Sequence, residues 1–444
     1  MLIEFKVQNN ASFNTSQTLS MLASSSTKEN FNEENTIPIN KFGITNVVKS
    51  AAVFGANASG KTNLFKSFLA LQNIVLNSLT TAESDNLDTI IPFLLKDDPF
   101  DNPCEFEVLF FYHGNLYRYG ISIVENIISE EWLYWTKTSR ETMLFYRTGQ
   151  KVEINKRSFS ESIDFVKEKD GTSYVEKTRE NVPFLSVLSQ FNGQKSRTVV
   201  DWFKKLKIVS GISESSFQSY TIELFDNNPK FKSWALEILS ALQIQDISIL
   251  EVDTSFPEIE NMDPNRAALQ DVDLKAVYSR LSKFIHKNKF KEKKIEIVKS
   301  SEDGSKKFNM PLSFESEGTI KLIYLLGPLY DVINNGKILL MDEFENKFHS
   351  LLSKYIIELY HKNNNSNSQL IITCHDTNLL TNELFRRDQI WFIEKNSHHE
   401  SELYSLLEYK EHYTRKDGSY CKDYLNGKYG AIPLLKSIDQ LSMI

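Results

Sequence analysis

The residues that could do chemistry gather in four short stretches. The first is Ala51-Ala-Val-Phe-Gly-Ala-Asn-Ala-Ser-Gly-Lys-Thr-Asn-Leu64, in which Gly55, Gly60, Lys61 and Thr62 fit G-x-x-x-x-G-K-[ST]. Glycines allow backbone conformations that a side chain forbids, so successive N–H groups can converge on a phosphate. The apolar run Ala51 to Phe54 reads as a buried strand. Apolar residues at Leu64, Phe68, Leu71, Val75 and Leu79 follow helical spacing. The loop therefore sits between a strand and a helix whose positive end faces the same phosphate. Lys61 would lie between the β- and γ-phosphates of ATP, and the Thr62 hydroxyl would ligate Mg²⁺. Asn57, Ser59 and Asn63 complete the candidate nucleotide contacts. The competing reading is a glycine turn beside a surface lysine.

The second stretch is Lys337-Ile-Leu-Leu-Met-Asp-Glu343, four apolar residues ending in two carboxylates. Both acids emerge at the carboxyl edge of a buried strand, where α/β sheets bind ligands. Asp342 suits the Mg²⁺ hydration shell, and Glu343 could polarise an attacking water as general base. The alternative is an N-cap for a helix over Lys347 to Tyr360. The third stretch, Gln369-Leu-Ile-Ile-Thr-Cys-His-Asp-Thr-Asn378, puts His375 at the end of what should be the adjacent strand, within reach of a γ-phosphate or the water. In the fourth, Phe314-Glu-Ser-Glu-Gly-Thr-Ile-Lys-Leu322, Ser316 and Gly318 open a helix whose amino end can hold an anion. Taken alone it is a capped helix.

The elements that must position these residues fall into three segments. Residues 1–155 read as strands, the P-loop and its helix, then an antiparallel lobe from 98 to 155 with a hairpin turn at His113-Gly114-Asn115. Residues 156–293 read as a mainly helical insertion, with helices at Val182 to Phe191, Thr198 to Leu206, Phe231 to Leu242 and Leu274 to His286. Residues 294–444 return to α/β alternation and extend a parallel sheet begun by the P-loop strand. Lys294 to Val298 and Lys306 to Leu312 form a hairpin in this segment. The polar segments Ser24 to Asn35 and Asn363 to Ser368 read as an exposed connection and a loop tip. Lys283 to Lys294 carries six lysines against one glutamate, which reads either as a solvated helix end or as a phosphate-contacting patch.

Composition bounds the rest. The 444 residues carry a net charge of −7, which supplies no global basic field for nucleic acid. Three cysteines without metal-ligand spacing suit a reducing cytoplasm. No apolar run approaches the length needed to span a bilayer, and a soluble cytoplasmic protein without a membrane partner is the expectation.

A P-loop, a Ser-x-Gly signature, an Asp-Glu pair and a switch histidine, in this order, resemble the ABC-type ATPases of SMC, RecF and OLD-like proteins. The likeness is closer to AAA-family ATPases of bacterial abortive infection and phage defence, RloA/AbiL-like proteins and, more distantly, the PARIS and Septu ATPase subunits. It rests also on Glu315-Ser-Glu-Gly-Thr319, Thr373-Cys-His-Asp-Thr-Asn378 and Tyr424-Leu-Asn-Gly-Lys-Tyr-Gly-Ala-Ile-Pro433. It covers residues 1 to about 150 and 294 to about 435.

The resemblance implies an α/β, ABC-type P-loop ATPase head with an antiparallel β lobe and a helical insertion. It implies a head-to-head homodimer in which Lys61, Thr62, Asp342, Glu343 and His375 act in cis, while Ser316 and Gly318 come from the second copy. An ATP-hydrolysing regulator of phage defence, partnered with a separate effector nuclease, is the first functional expectation. A DNA-clamping repair ATPase is the alternative, with nucleic acid as a further candidate partner. A transporter subunit fits poorly, because about 255 residues separate Gly60 from the signature. A non-enzymatic reading makes ATP a structural ligand of an assembly. The chain departs from the family pattern at Ala11, where relatives carry arginine, and at Phe348-His-Ser350, where many show Leu-His-Pro.

Overall fold

Three runs in which every residue is buried, Ser50–Phe54, Ile338–Asp342 and Gln369–Thr373, are shielded on both faces, as strands inside a parallel sheet must be. In the computed structural model they lie side by side. The six-stranded sheet runs Leu206–Ser210, Ile338–Asp342, Gln369–Thr373, Ser50–Phe54, Ile390–Lys395, Ser401–Ser405. The first five strands are parallel and the last returns antiparallel. The strand leading into the P-loop thus lies between two strands from the last fifth of the chain. The structure describes residues 1–25, 31, 33–80, 87, 89–210, 215–253, 291–301, 303–364, 366–409 and 419–433.

A nine-stranded antiparallel sheet forms the lobe. Its order is Lys167–Lys169, Thr172–Tyr174, Lys151–Ile154, Glu141–Thr148, Ile127–Thr136, Asn115–Val124, Cys104–Tyr112, Leu2–Gln8, Gln17–Ser20. Burial alternates along Cys104–Tyr112, as expected of strands with one face on a core. The hairpin turns on His113-Gly114, both at positive φ, between paired Tyr112 and Asn115. The lobe is therefore wider than 98–155, because it recruits the amino-terminal strands. The helix Lys61–Asn77 joins both sheets in one core, with Phe68 stacked 3.6 Å from Phe5 of the antiparallel sheet.

The chain divides into two compact units, Met1–Ser213 with Asp331–Ile444, and Glu214–Tyr330. The second unit holds the antiparallel strands Asp246–Asp253, Lys291–Ser300 and Lys307–Pro311 and the helices Ser215–Asn227 and Pro229–Leu239. Asn228 caps the latter, accepting from Phe231 N at 3.0 Å with Pro229 in the first turn. The unit boundary falls within the helix Glu317–Asn335.

Several local readings need correction. The helix expected over Thr198 to Leu206 is Gln194–Phe203, and Leu206 opens the edge strand of the core sheet. The described end of the lysine run, Lys291 to Lys294, is strand rather than helix end; the helix expected over Leu274 to His286 lies outside the described residues. The segment Asn363 to Ser368 links a helix to a strand, with Asn363 and Asn367 exposed, but it is anchored at both ends. Asn364 and Ser368 are buried, and Asn364 Nδ2 donates to Tyr360 Oη and Ser368 O at 3.0 and 2.8 Å. Asn35 is likewise buried, donating to Leu384 O and Gln389 Oε1. Among the described residues no helix is long and apolar enough to cross a membrane.

One buried histidine ties acid stability to this core. His361 Nε2 lies 2.8 Å from Ser50 Oγ, at the start of the P-loop strand. Burial, reinforced by the Lys49 charge, pushes its pKa down to about 3. The unfolded chain, with histidine near its ordinary value, then binds the extra proton between those two pH values. Stability is retained in full above about pH 6.5 and lost as pH falls toward 3, by about 2 kcal/mol at pH 5 from this residue. Denaturant unfolding at pH 7.5 and 5.0 should show a stability drop smaller by that amount in His361→Gln. Equal drops in both proteins would refute the assignment.

Candidate functional site

The P-loop is shaped by what surrounds its glycines. A Cβ on Gly55 would stand 2.3 Å from Ile393 O, and one on Gly60 would stand 2.3 Å from Ser401 Oγ. The neighbouring strands Ile390–Lys395 and Ser401–Ser405 therefore press directly on the loop, and only glycine fits. Ser401 Oγ also donates to Ser59 O at 2.5 Å, and Asn63 Nδ2 to Ser12 Oγ at 2.8 Å. Ala58 takes φ 61°, a left-handed value sparsely used by residues with a side chain. The helix that follows has no acidic residue in its first turn, so nothing in that turn offsets its positive end.

A cavity of about 600 Å³ opens over this loop. Its walls are residues 57–63, Asp342, Glu343, His375 and Lys395. The P-loop, the paired carboxylates and the histidine expected from sequence thus meet at one sheet edge. Gly55 is not among the cavity walls. Ser316 and Gly318 belong to the other compact unit and are not among its walls. There Ser316 Oγ accepts from Thr319 N at 3.2 Å and caps the helix Glu317–Asn335, next to Phe314, which is 71% exposed.

The two acids are held by one residue that sequence reasoning missed. Thr373 Oγ1 donates to Asp342 Oδ1 at 2.5 Å and accepts from Glu343 N at 2.8 Å. Glu343 itself takes φ 50°, so the chain turns sharply after Asp342 and both carboxylates reach the cavity. Strain of this kind costs on the order of 1–3 kcal/mol and concentrates at functional sites. The capping alternative fails. The following helix is Ser350–Asn363, and His349 caps it, its Nδ1 accepting from Leu351 N at 3.2 Å.

Lys61 is buried and donates to Gly55 O and Ala56 O at 2.8 and 2.9 Å. Burial lowers its pKa to about 8, against the opposing pull of Cys374, Asp342, Glu345 and Glu343. Partial burial and the Lys61 charge hold His375 below its ordinary value despite Asp342, which favours the neutral imidazole. Lys395, which ends the strand beside the P-loop strand, is a second cavity cation that no local pattern pointed to.

These residues fit a nucleotide with its metal. The buried Ser59 hydroxyl has no hydrogen-bond partner among the described residues, which suits a donor waiting for a phosphate oxygen. No group of three or more His, Cys, Asp or Glu among the described residues could cage a metal ion. Thr62 and Asp342 at the cavity wall are oxygen donors of the kind Mg²⁺ takes, one or two protein oxygens together with phosphates and several waters.

No curated protein matches the chain. Among solved structures it is similar to the SMC head domain from Thermotoga maritima, at 11% identity and a TM-score of 0.40, covering 91% of this chain and 98% of that one. It is also similar to an SmcHead bound to the C-winged helix domain of ScpA, at 11% identity and a TM-score of 0.41, covering 91% and 97%. A family model described as "AAA domain, putative AbiEii toxin, Type IV TA system" matches residues 50–175 and 216–381. Those blocks take in the P-loop, the Ser-x-Gly segment, both carboxylates and His375, and span well over half of the sequence. On that match the chain belongs to the AAA-domain family of AbiEii type.

Proposed function

We propose that the chain is an ATPase that binds Mg²⁺–ATP in the P-loop cavity and dimerises head to head around it. In this reading it is the sensor or regulatory subunit of a bacterial anti-phage system, acting on a separate effector chain, in first place a nuclease. The convergence of residues 57–63, Asp342, Glu343 and His375 on one cavity carries the ATPase reading. The defence role is supported by the family description and by the sequence resemblance.

Each residue then has a task. The Lys61 ammonium exchanges its carbonyl partners for phosphate oxygens. Thr62 and Asp342, the latter oriented by Thr373, would hold Mg²⁺, which when bound neutralises charge on the β- and γ-oxygens. Glu343 takes a proton from the attacking water. His375 hydrogen-bonds the γ-phosphate or that water. Ser316 and Gly318 of a second copy close the nucleotide from the opposite side. The DNA-clamp reading has less support. Lys291, Lys293 and Lys294 of the basic run are ion-paired with Glu251, with Glu223 and Asp226, and with Glu292.

Mixing tests the shared site. Lys61→Ala and Gly318→Asp chains should each be inactive alone. After subunit exchange, one site of every mixed dimer pairs an intact P-loop with an intact signature, so about a quarter of all sites are whole. Phosphate release should recover to roughly that fraction. No recovery despite proven exchange, together with half activity in a tandem-linked dimer bearing one Lys61→Ala site, would place the signature in cis and end the shared-site reading.

A further inference from the structure

Glu345 follows the catalytic pair closely but has no part in the roles above. Its Oε1 accepts the backbone N–H of His375, while its Oε2 is buried without a hydrogen-bond partner among the described residues. A half-satisfied carboxylate is an expensive way to fill space, and burial raises its pKa accordingly. Its position explains its use. Glu343 N donates to Thr373 Oγ1 and Phe344 N to Thr373 O at 3.0 Å, so residues 343 and 344 are tied to the end of the neighbouring strand. Cys374 N still donates to Val53 O at 3.1 Å. One residue on, beyond the strand, the His375 N–H is held by the Glu345 side chain.

We propose that Glu345 is a positioning residue for His375, its carboxylate fixing the backbone at 375 so that the imidazole stays at the wall of the P-loop cavity. The functional part rests on His375 contacting the γ-phosphate or the attacking water; the positioning part does not.

Two measurements test it. Hydrogen exchange on nucleotide-free protein, read on the segment Cys374 to Asn378, should show the His375 amide exchanging about tenfold faster or more in Glu345→Ala. Glu345→Gln keeps a carbonyl oxygen for that N–H and should exchange like the unmodified chain. If the alanine variant does not fold, Glu345→Met gives the same length without an acceptor. In steady-state ATP hydrolysis, Glu345→Ala should lose kcat by about the same factor as His375→Ala, with KM for ATP within about threefold. The double variant should be no slower than His375→Ala alone. Unchanged exchange in Glu345→Ala, or losses that multiply in the double variant, would overturn the proposal. An unmodified chain that hydrolyses no ATP would remove the ATPase reading and leave positioning to the exchange experiment.

Discussion

Lys61→Ala should lower the affinity for ATP by roughly 10–10²-fold, the equivalent of about 1.5–3 kcal/mol for a lost hydrogen bond between charged groups. The ammonium is buried, sits on the carbonyls of Gly55 and Ala56, and is the one cavity cation held within the loop itself. Without it the phosphates would face Asp342 and Glu343 with only the exposed Lys395 to offset them. The loop should keep its shape: the lysine's bonds to the Gly55 and Ala56 carbonyls are lost, but Ile393 and Ser401 still press on Gly55 and Gly60, and Ser401 Oγ still donates to Ser59 O. Calorimetric titration with Mg²⁺–ATP, beside a melting curve to show that the variant is folded, measures the effect. Unchanged affinity in a folded variant would mean that the phosphates do not lie on this loop.

Glu343→Gln should do the reverse: retain binding and lose about 10²–10⁴-fold in hydrolysis, the usual worth of a positioned general base. Glutamine has the same length, and the backbone bond from residue 343 to Thr373 Oγ1 and the Thr373–Asp342 bond both survive. With metal and phosphate contacts intact and turnover stopped, the ATP-bound dimer should accumulate, visible as a doubled mass by light scattering only when ATP is present. Hydrolysis at the normal rate would show that another group activates the water.

What was legible in the sequence was what is local in the chain. The P-loop announces itself within fourteen residues, and the acid pair and His375 stand at the ends of two short apolar runs that could only be buried strands. The hairpins of the lobe were readable because their partners are neighbours in sequence. What escaped depends on residues brought together from afar. Thr373 and Glu345 are ordinary in type; each gains meaning only when Gln369–Thr373 lies beside Ile338–Asp342. Leu206–Ser210 is a short run whose partner strand among the described residues lies about 130 residues on. The polar residues Asn35, Asn364 and Ser368 looked exposed because polarity usually means water. Here distant carbonyls and Tyr360 replace the water.

The order of strands in the core sheet also sets an order in time. The P-loop strand is made early, but its neighbours on either side, Gln369–Thr373 and Ile390–Lys395, follow about 320 and 340 residues later. At 5–20 residues per second, that is a wait of roughly 15–70 s on the ribosome. For that time Ala51, Ala52, Val53 and Phe54 have no sheet to enter, and the strand that presses on Gly55 does not yet exist. The phosphate loop is thus among the first parts of the site to be synthesised and among the last to become rigid. A nascent chain should gain resistance to proteolysis around residues 50–60 only after Lys395 has cleared the exit tunnel, and a nucleotide should protect that segment only from then on.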